Sequence, residues 1–339
     1  MVKRATWVNS SGSLVYQGMA MSERDFELVI ARKEAVATGV VRLTFARKDG
    51  LQLPTWEPGA HIDVHFASNG VDYMRQYSLC GKTADRRHWQ VAVRRAVDGR
   101  GGSAHIHEVL AEGDTIRVSA PRNNFPLVRA KRYLFVAGGI GITPILPMIA
   151  EVSAAGADWR LVYCGRTAES MAFIDEVRAL GGDKVSLHES ELKGQLDLGA
   201  LINEADSETV LYCCGPEPML SSIDDICASW SAERVHYERF SPRDDGSIEA
   251  NGAFEVEFAR SKLVLTVPPD RSILELAEEH GVDIDSSCQE GVCGSCETRV
   301  LEGIPDHRDS VLSQKERAAG QTIMVCVSRS CSSRLVLDA

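Results

Sequence analysis

Four cysteines near the C-terminal end carry the clearest chemistry in this chain. Cys288-Gln-Glu-Gly-Val-Cys293-Gly-Ser-Cys296, with Cys326 thirty positions on, has the C-x4-C-x2-C…C spacing of a plant-type [2Fe-2S] site. Four thiolates ligate two irons there. Gly291, Gly294 and Ser295 let the backbone fold tightly enough for its N–H groups to point at the cluster sulfurs. A structural zinc site is the competing use of such cysteines, but it usually pairs two C-x2-C knuckles, and one is present. Cys331 falls outside the pattern and is expected to be an ordinary buried thiol.

Two further constellations suit nucleotides. Tyr133-Leu-Phe-Val-Ala137 is an apolar strand running into Gly138-Gly139-Ile140-Gly141-Ile142-Thr143-Pro144, with Pro144 expected at the first position of a helix. Glycines at such a turn let backbone amides approach a pyrophosphate, and the helix dipole favours the anion. The full G-x-G-x-x-G spacing is absent, so a purely structural use of these glycines stays open. Later in the same unit Cys214-Gly215-Pro216-Glu217-Pro218-Met219 forms a small, flat turn with room for a nicotinamide ring. Arg166 could meet an adenosine ribose, a 2′-phosphate or a local carboxylate. Nearer the N-terminus, Arg75-Gln76-Tyr77-Ser78-Leu79 combines a fixed cation, an aromatic face and a hydroxyl, and Gly99-Arg100-Gly101-Gly102-Ser103 precedes a short helix. The cation and the glycine loop could together hold a phosphate.

The elements that must position these groups change character along the chain. Short β-runs punctuated by Gly, Pro and Asp fill Asp25 to about Phe125: 26–31, 40–46, 61–66, 89–94 and 115–119. Ile62, Val64 and Phe66 alternate there with Asp63 and His65, and the pattern predicts an antiparallel barrel. From Lys131 buried strands at 133–137, 161–165, 185–188, 210–214 and 235–240 alternate with helical stretches, which predicts a parallel α/β sheet. The polar stretch 241–252 reads as a linker. Beyond it, strands at 254–258 and 263–267 precede a helix with a Ser272/Glu275 capping box that Gly281 could end, giving a small α+β unit. The expected domains are therefore 25–127, 128–240 and 253–339, with 1–24 an N-terminal extension of no assigned role.

The chain has 339 residues, 44% of them hydrophobic, enough for a core in each domain. A net charge of -11 argues against nucleic acid or an anionic membrane as the main partner. Residues 1–20 lack the apolar run of a signal peptide, and no window of eighteen apolar residues predicts a membrane span. The ten cysteines then suit reduced thiols and metal ligands in the cytoplasm better than a disulfide framework. Glu275, Glu278, Glu279, Asp283 and Asp285, just before the cysteine loop, predict an acidic rim beside it.

Taken together, Arg75-Gln-Tyr-Ser-Leu79, Gly-Gly-Ile-Gly-Ile-Thr-Pro144, Cys214-Gly-Pro216 and the cysteine loop resemble, in that order, the phthalate dioxygenase reductase family, the class IA reductases of Rieske-type oxygenases. The resemblance covers about Asp25 to Leu337. It implies a flavin-binding barrel, a nicotinamide domain and a C-terminal ferredoxin-like β-grasp domain. It also implies that Arg75, Gly101, Gly102 and Ser103 bind the FMN phosphate, Tyr77 and Leu79 lie at the flavin, and Ser78 hydrogen-bonds the reactive edge of its ring. Gly139, Gly141, Thr143 and Pro144 would form the dinucleotide turn, Cys214, Gly215 and Pro216 would flank hydride transfer, and Phe240 would cover the flavin. The implied activity runs from NADH, or less readily NADPH, through FMN to the [2Fe-2S] cluster and on to a Rieske-type terminal oxygenase. A flavin is needed because a nicotinamide gives up two electrons as hydride whereas the cluster accepts one. FAD in place of FMN, a diiron hydroxylase or cytochrome P450 as partner, and a redox sensor that does not turn over stay open.

Overall fold

Alternation of inward apolar and outward polar side chains turns the strands between Asp25 and Ser119 into a closed antiparallel barrel. The computed structural model describes residues 25–68, 71–96, 101–241, 252–312 and 314–339. The extension 1–24, the stretch 242–251 of the expected linker, and Gly99 and Arg100 of the glycine loop lie outside them. Strands β1 (Asp25–Ala37), β2 (Val40–Ala46), β3 (His61–Ser68), β4 (Val71–Ser78), β5 (His88–Arg94) and β6 (Thr115–Ser119) lie in the order β4-β3-β6-β1-β2-β5. Two contacts bring the edge strands together: a bridge between Leu79 and Val91 and a 2.9 Å hydrogen bond from the Cys80 N–H to the Gln90 carbonyl. Leu28, Leu43, Phe45, Ile62, Val64 and Trp89 fill the interior. Periodicity predicts no strand at β4, because Tyr73, Arg75, Gln76 and Ser78 give it a polar composition. It forms by pairing with β3 along its whole length. Helix α1 (Gly102–Glu108) follows Gly101, whose φ of 89° needs a glycine.

The second unit is a parallel sheet of β7 (Arg132–Gly138), β8 (Asp158–Gly165), β9 (Val185–Glu189), β10 (Thr209–Cys214) and β11 (Val235–Glu238), ordered β11-β10-β7-β8-β9. Helices α2 (Ile142–Ala154), α3 (Ile174–Gly181), α4 (Ser190–Lys193), α5 (Leu198–Asn203) and α6 (Glu217–Ile226) connect the strands. The predicted fifth strand ends at Glu238 instead of Phe240. Pro144 is the third residue of α2, not the first, which its missing N–H tolerates because the first turn has no intrahelical acceptors. The barrel and this sheet share a core: Val40, Cys80 and Ala92 pack in one cluster with Phe125, Phe135, Met148 and Tyr163. Burying a ring such as Phe125 contributes about 1.5–3 kcal/mol. The Tyr212 hydroxyl accepts from the Val128 N–H at 2.7 Å and donates to the Pro126 carbonyl at 2.9 Å, fixing the connecting segment onto β10.

The third unit is a mixed sheet of β12 (Phe254–Phe258), β13 (Leu263–Val267), β14 (Glu297–Glu302), β16 (Thr322–Met324) and β18 (Arg334–Leu337), ordered β13-β12-β18-β14-β16. A two-stranded ribbon, β15 (Pro305–Asp306) with β17 (Arg329–Ser330), lies beside it. Helix α7 (Ile273–Glu279) begins with the predicted capping box: Ser272 Oγ accepts from the Glu275 N–H at 3.1 Å, and the Ser272 N–H donates to Glu275 Oε2 at 2.7 Å. Gly281, at φ 75°, turns the chain after it. The short helix α8 (Gln314–Ala319) precedes β16. Among the described residues no helix is long and apolar enough to cross a membrane.

Candidate functional site

A cleft opens where the three units meet. Arg75, Gln76, Tyr77 and Ser78 of β4 form one wall, Glu238, Arg239 and Phe240 at the end of β11 a second, and Cys288, Glu290 and Val292 of the cysteine loop a third. In a parallel sheet ligands gather beyond the C-terminal strand ends, which is where β10 and β11 deliver Cys214 and Glu238. These two are register neighbours. Ser78 Oγ donates to Glu238 Oε2 at 3.2 Å, and Cys214 Sγ stands 4.0 Å from the same oxygen. Glu238 is half-buried, and loss of solvent around its carboxyl pushes it up to about 8, with the Ser78 hydrogen bond opposing. Cys214 is fully buried, and burial, reinforced by Glu238, raises its thiol well above the ordinary range. At neutral pH the three groups form a mostly uncharged chain of hydroxyl, carboxyl and thiol, able to hold or move a proton at the Glu238 oxygen.

Residue type alone did not single out Glu238. The available signal was its position, a carboxylate ending a parallel strand at the ligand edge of the sheet. His61 also lines the cleft unannounced by any motif. It is buried, its Nε2 has no hydrogen-bond partner among the described residues, and burial followed by the charge of Arg122 lowers it to about 4, so its ring is neutral. Tyr77 faces the cleft with its phenol raised by burial. Phe240 is 43% exposed at the rim. Arg239, between Glu238 and Phe240, is held by Glu217 at 3.1 Å and Asp224 at 2.9 Å, which ties the end of β11 to α6.

Arg75 lies beside the glycine loop: a Cβ built on Gly102 would stand 3.4 Å from Arg75 Nε. The guanidinium stacks 5.1 Å from the Tyr73 ring and donates to the Met74 carbonyl at 2.9 Å; among the described residues no carboxylate neutralises it. Ser103 Oγ, at the start of α1, accepts from the Ala96 N–H just past β5 at 3.0 Å. A cation, a glycine turn and an aromatic wall in this arrangement fit a phosphate-bearing flavin. Leu79 is fully buried in the barrel core, so its side chain packs instead of lining the cleft.

The glycine turn after β7 and the Cys214-Gly215-Pro216 turn touch. A Cβ on Gly141 would come within 2.1 Å of the Cys214 carbonyl oxygen, and one on Gly138 within 2.5 Å of Pro216 Cδ. Those glycines serve the contact between the two turns. Gly139 differs, having φ 55° and open space where a side chain would point, so the open surface of the turn is there. Thr143 Oγ1 donates to the Ile140 carbonyl at 2.9 Å and holds the turn. Arg166 is exposed just past β8.

The four predicted ligands converge as two pairs. Cys288 acts most strongly on Cys293, and Cys326 on Cys296. In each pair the neighbouring sulfur lowers one thiol, Cys293 to about 5 and Cys296 in the same direction, and raises the other. Among the described residues no three His, Cys, Asp or Glu side chains close on a single ion. Two pairs suit a two-iron cluster better than one zinc. The Glu290 N–H donates to Cys288 Sγ at 3.3 Å and the Ser295 N–H to Cys293 Sγ at 3.4 Å, so the loop already aims donors at sulfur. Gly291 and Gly294 have φ of 71° and 74°, a backbone only glycine adopts readily. Cys331 is exposed, not buried as its residue type predicts.

Three family models match the chain: an oxidoreductase FAD-binding domain over 27–126, an oxidoreductase NAD-binding domain over 135–225, and a 2Fe-2S iron-sulfur cluster binding domain over 256–333. The chain is 38% identical over 318 residues to the carnitine monooxygenase reductase subunit of Escherichia coli K12, covering 92% of this chain and 98% of that one. The solved structure of phthalate dioxygenase reductase, described as modular for electron transfer from pyridine nucleotides to [2Fe-2S], is 38% identical with a TM-score of 0.67, covering 93% of this chain and 98% of the other. An intact type IV self-sufficient cytochrome P450 monooxygenase is also 38% identical, with a TM-score of 0.85 over 96% of this chain; the chain spans 43% of that longer protein.

Proposed function

Because the chain belongs to the phthalate dioxygenase reductase family, we propose that it oxidises NADH and delivers the electrons, through bound FMN and a [2Fe-2S] cluster, to a Rieske-type terminal oxygenase. The observation that carries this reading is the single cleft whose walls come from the Tyr77 strand, the Glu238 strand end and the Cys288 loop. The flavin would supply, when bound, the conversion of a two-electron hydride into single electrons, and the cluster their onward carriage. The protein supplies position and protons. Arg75 with Gly101, Gly102 and Ser103 would bind the phosphate, Tyr77 would pack on the ring, and Ser78 would present a hydroxyl to its reactive edge. Cys214, Gly215 and Pro216 would bound the nicotinamide, Phe240 would shield the ring until nucleotide binds, and Glu238 would hold a proton between Ser78 and Cys214. Cys288, Cys293, Cys296 and Cys326 would ligate the irons.

The matched barrel model is named for FAD; the glycine-serine segment beside Arg75 supports FMN, whose phosphate would end there. NADH over NADPH is supported by Glu189, whose carboxylate accepts from the Ala168 N–H at 3.0 Å at the strand ends where Arg166 emerges and would repel a 2′-phosphate. Ten cysteines without a disulfide support a reducing, cytoplasmic setting. The test starts with the purified protein, from which mass analysis of the released flavin distinguishes FMN from FAD and assays give iron and sulfide. Cys293→Ser should then keep NADH-driven flavin reduction and lose delivery to the oxygenase. A folded, flavin-loaded variant that NADH no longer reduces would contradict the order of carriers. The likeness to part of a self-sufficient P450 favours a haem partner as the second reading; faster turnover with a P450 than with a Rieske oxygenase would select it.

A further inference from the structure

Asp63 is a buried carboxylate that none of the steps above uses. It is 3% exposed, and Arg122 Nη2 grips it at 2.9 and 2.8 Å. Its Oδ1 also accepts from Gln76 Nε2 at 3.1 Å and from Ser287 Oγ at 3.0 Å, while Gln76 Nε2 reaches Ser287 Oγ at 3.1 Å. The three side chains close a triangle. Gln76 stands between Arg75 and Tyr77 on the strand facing the flavin cleft, Asp63 is its register partner on β3, and Ser287 immediately precedes Cys288. Ser287 is itself buried, at 7% exposure. A second tie runs beside it, from Asn124 Nδ2 to the Cys293 carbonyl, and Gly294 leaves space for that amide, since a Cβ there would stand 3.0 Å from Asn124 Nδ2.

A carboxylate taken out of water is costly unless charge and hydrogen bonds surround it, and losing one partner of such a network costs more than the pair contributes. Arg122 alone already neutralises Asp63, so the Ser287 bond is not needed to keep the barrel folded. That bond holds the residue before a cluster ligand against the strand that carries Arg75 and Tyr77. We propose that Asp63 and Ser287 are positioning residues that latch the cluster loop to the flavin strand and so fix the distance over which electrons pass from flavin to cluster. The proposal rests on the electron path proposed above, and the assay separates the two.

In stopped-flow reduction of the intact, cofactor-loaded protein by NADH, flavin reduction and cluster reduction are read as successive phases, with the cluster's potential titrated separately. Ser287→Ala should leave the flavin phase and the cluster potential unchanged and slow the cluster phase about tenfold, the factor equivalent to one hydrogen bond to a charged acceptor. Ser287→Thr, which keeps the hydroxyl, should restore most of the rate. Asp63→Asn, with Arg122 left in place, should slow the same phase. Unchanged cluster reduction in both Ser287→Ala and Asp63→Asn overturns the latch, and so does a slower phase accounted for by a shifted potential. A wild-type protein whose flavin NADH does not reduce, or that binds no cluster, refutes the electron path itself.

Discussion

Glu238 offers a perturbation whose size follows from its surroundings. The folded protein keeps a proton on this carboxyl up to about 8, whereas the unfolded chain releases it near 4.5. The folded state therefore binds more protons through that window. The resulting stabilisation is complete below 4.5 and disappears as pH rises through 8. Between pH 6 and 9 linkage gives a loss of about 3 kcal/mol from this group alone. Glu238→Gln keeps the shape and an acceptor for Ser78 but has no proton to lose, so wild type minus variant isolates the effect from every other titration. Urea unfolding of both proteins at pH 6, 7, 8 and 9, followed by tryptophan fluorescence, should show the wild type falling relative to the variant by that amount. An infrared band of a protonated carboxyl should be absent from the variant and titrate near 8 in the wild type. Parallel stability curves for the two proteins, or no such band at pH 6, would refute the reasoning and mean that the cleft leaves Glu238 ionised.

Arg75→Ala should lower flavin occupancy, since a charge-assisted phosphate contact is worth roughly 1.5–3 kcal/mol, with partial rescue by Arg75→Lys; flavin-to-protein ratio and flavin affinity read it, and an alanine variant with full flavin would make Arg75 a packing residue. Phe240→Ala should raise kcat/KM for NADPH relative to NADH, and an unchanged ratio with an unchanged flavin spectrum would remove the ring from the nucleotide's path. Glu275, Glu278, Glu279, Asp283 and Asp285 are all exposed before the cluster loop, although Arg271 pairs with Glu275 at 3.4 Å and Glu279 at 2.8 Å. Reduction of a basic oxygenase partner should therefore slow as salt rises, because such steering is screened over about 8 Å at physiological ionic strength; a flat salt dependence removes the acidic rim from docking.

What was legible in the sequence was local. The spacing of Cys288, Cys293 and Cys296 needs no tertiary information, and the Ser272/Glu275 box closes within one helical turn. Strand β4 escaped notice because its side chains serve a cleft, so it lacks the apolar alternation that marks β3. Glu238 escaped because its partners, Cys214 and Ser78, lie 24 and 160 residues away in the chain. The glycines of the turn after β7 suggested a phosphate, yet two of them, Gly138 and Gly141, have the nearer task of letting that turn touch Cys214-Gly215-Pro216. Asp63 read as the outward residue of an alternating strand; it is buried, bonded to Arg122 of its own segment and to Ser287, encoded far downstream.

That last feature bears on how the molecule is made. Domains generally fold in the order of synthesis, so the barrel is complete while the cysteine loop is still unmade. During that interval Asp63 and Gln76 lack Ser287, and the carboxylate already has Arg122, a residue of the same early segment, to hold it. The nascent chain thus presents a finished seat that waits more than two hundred residues for Ser287 to arrive. The Ser287 contact is then the last of these bonds that can form, and a ribosome stalled beyond the second sheet would carry a barrel with its seat still vacant.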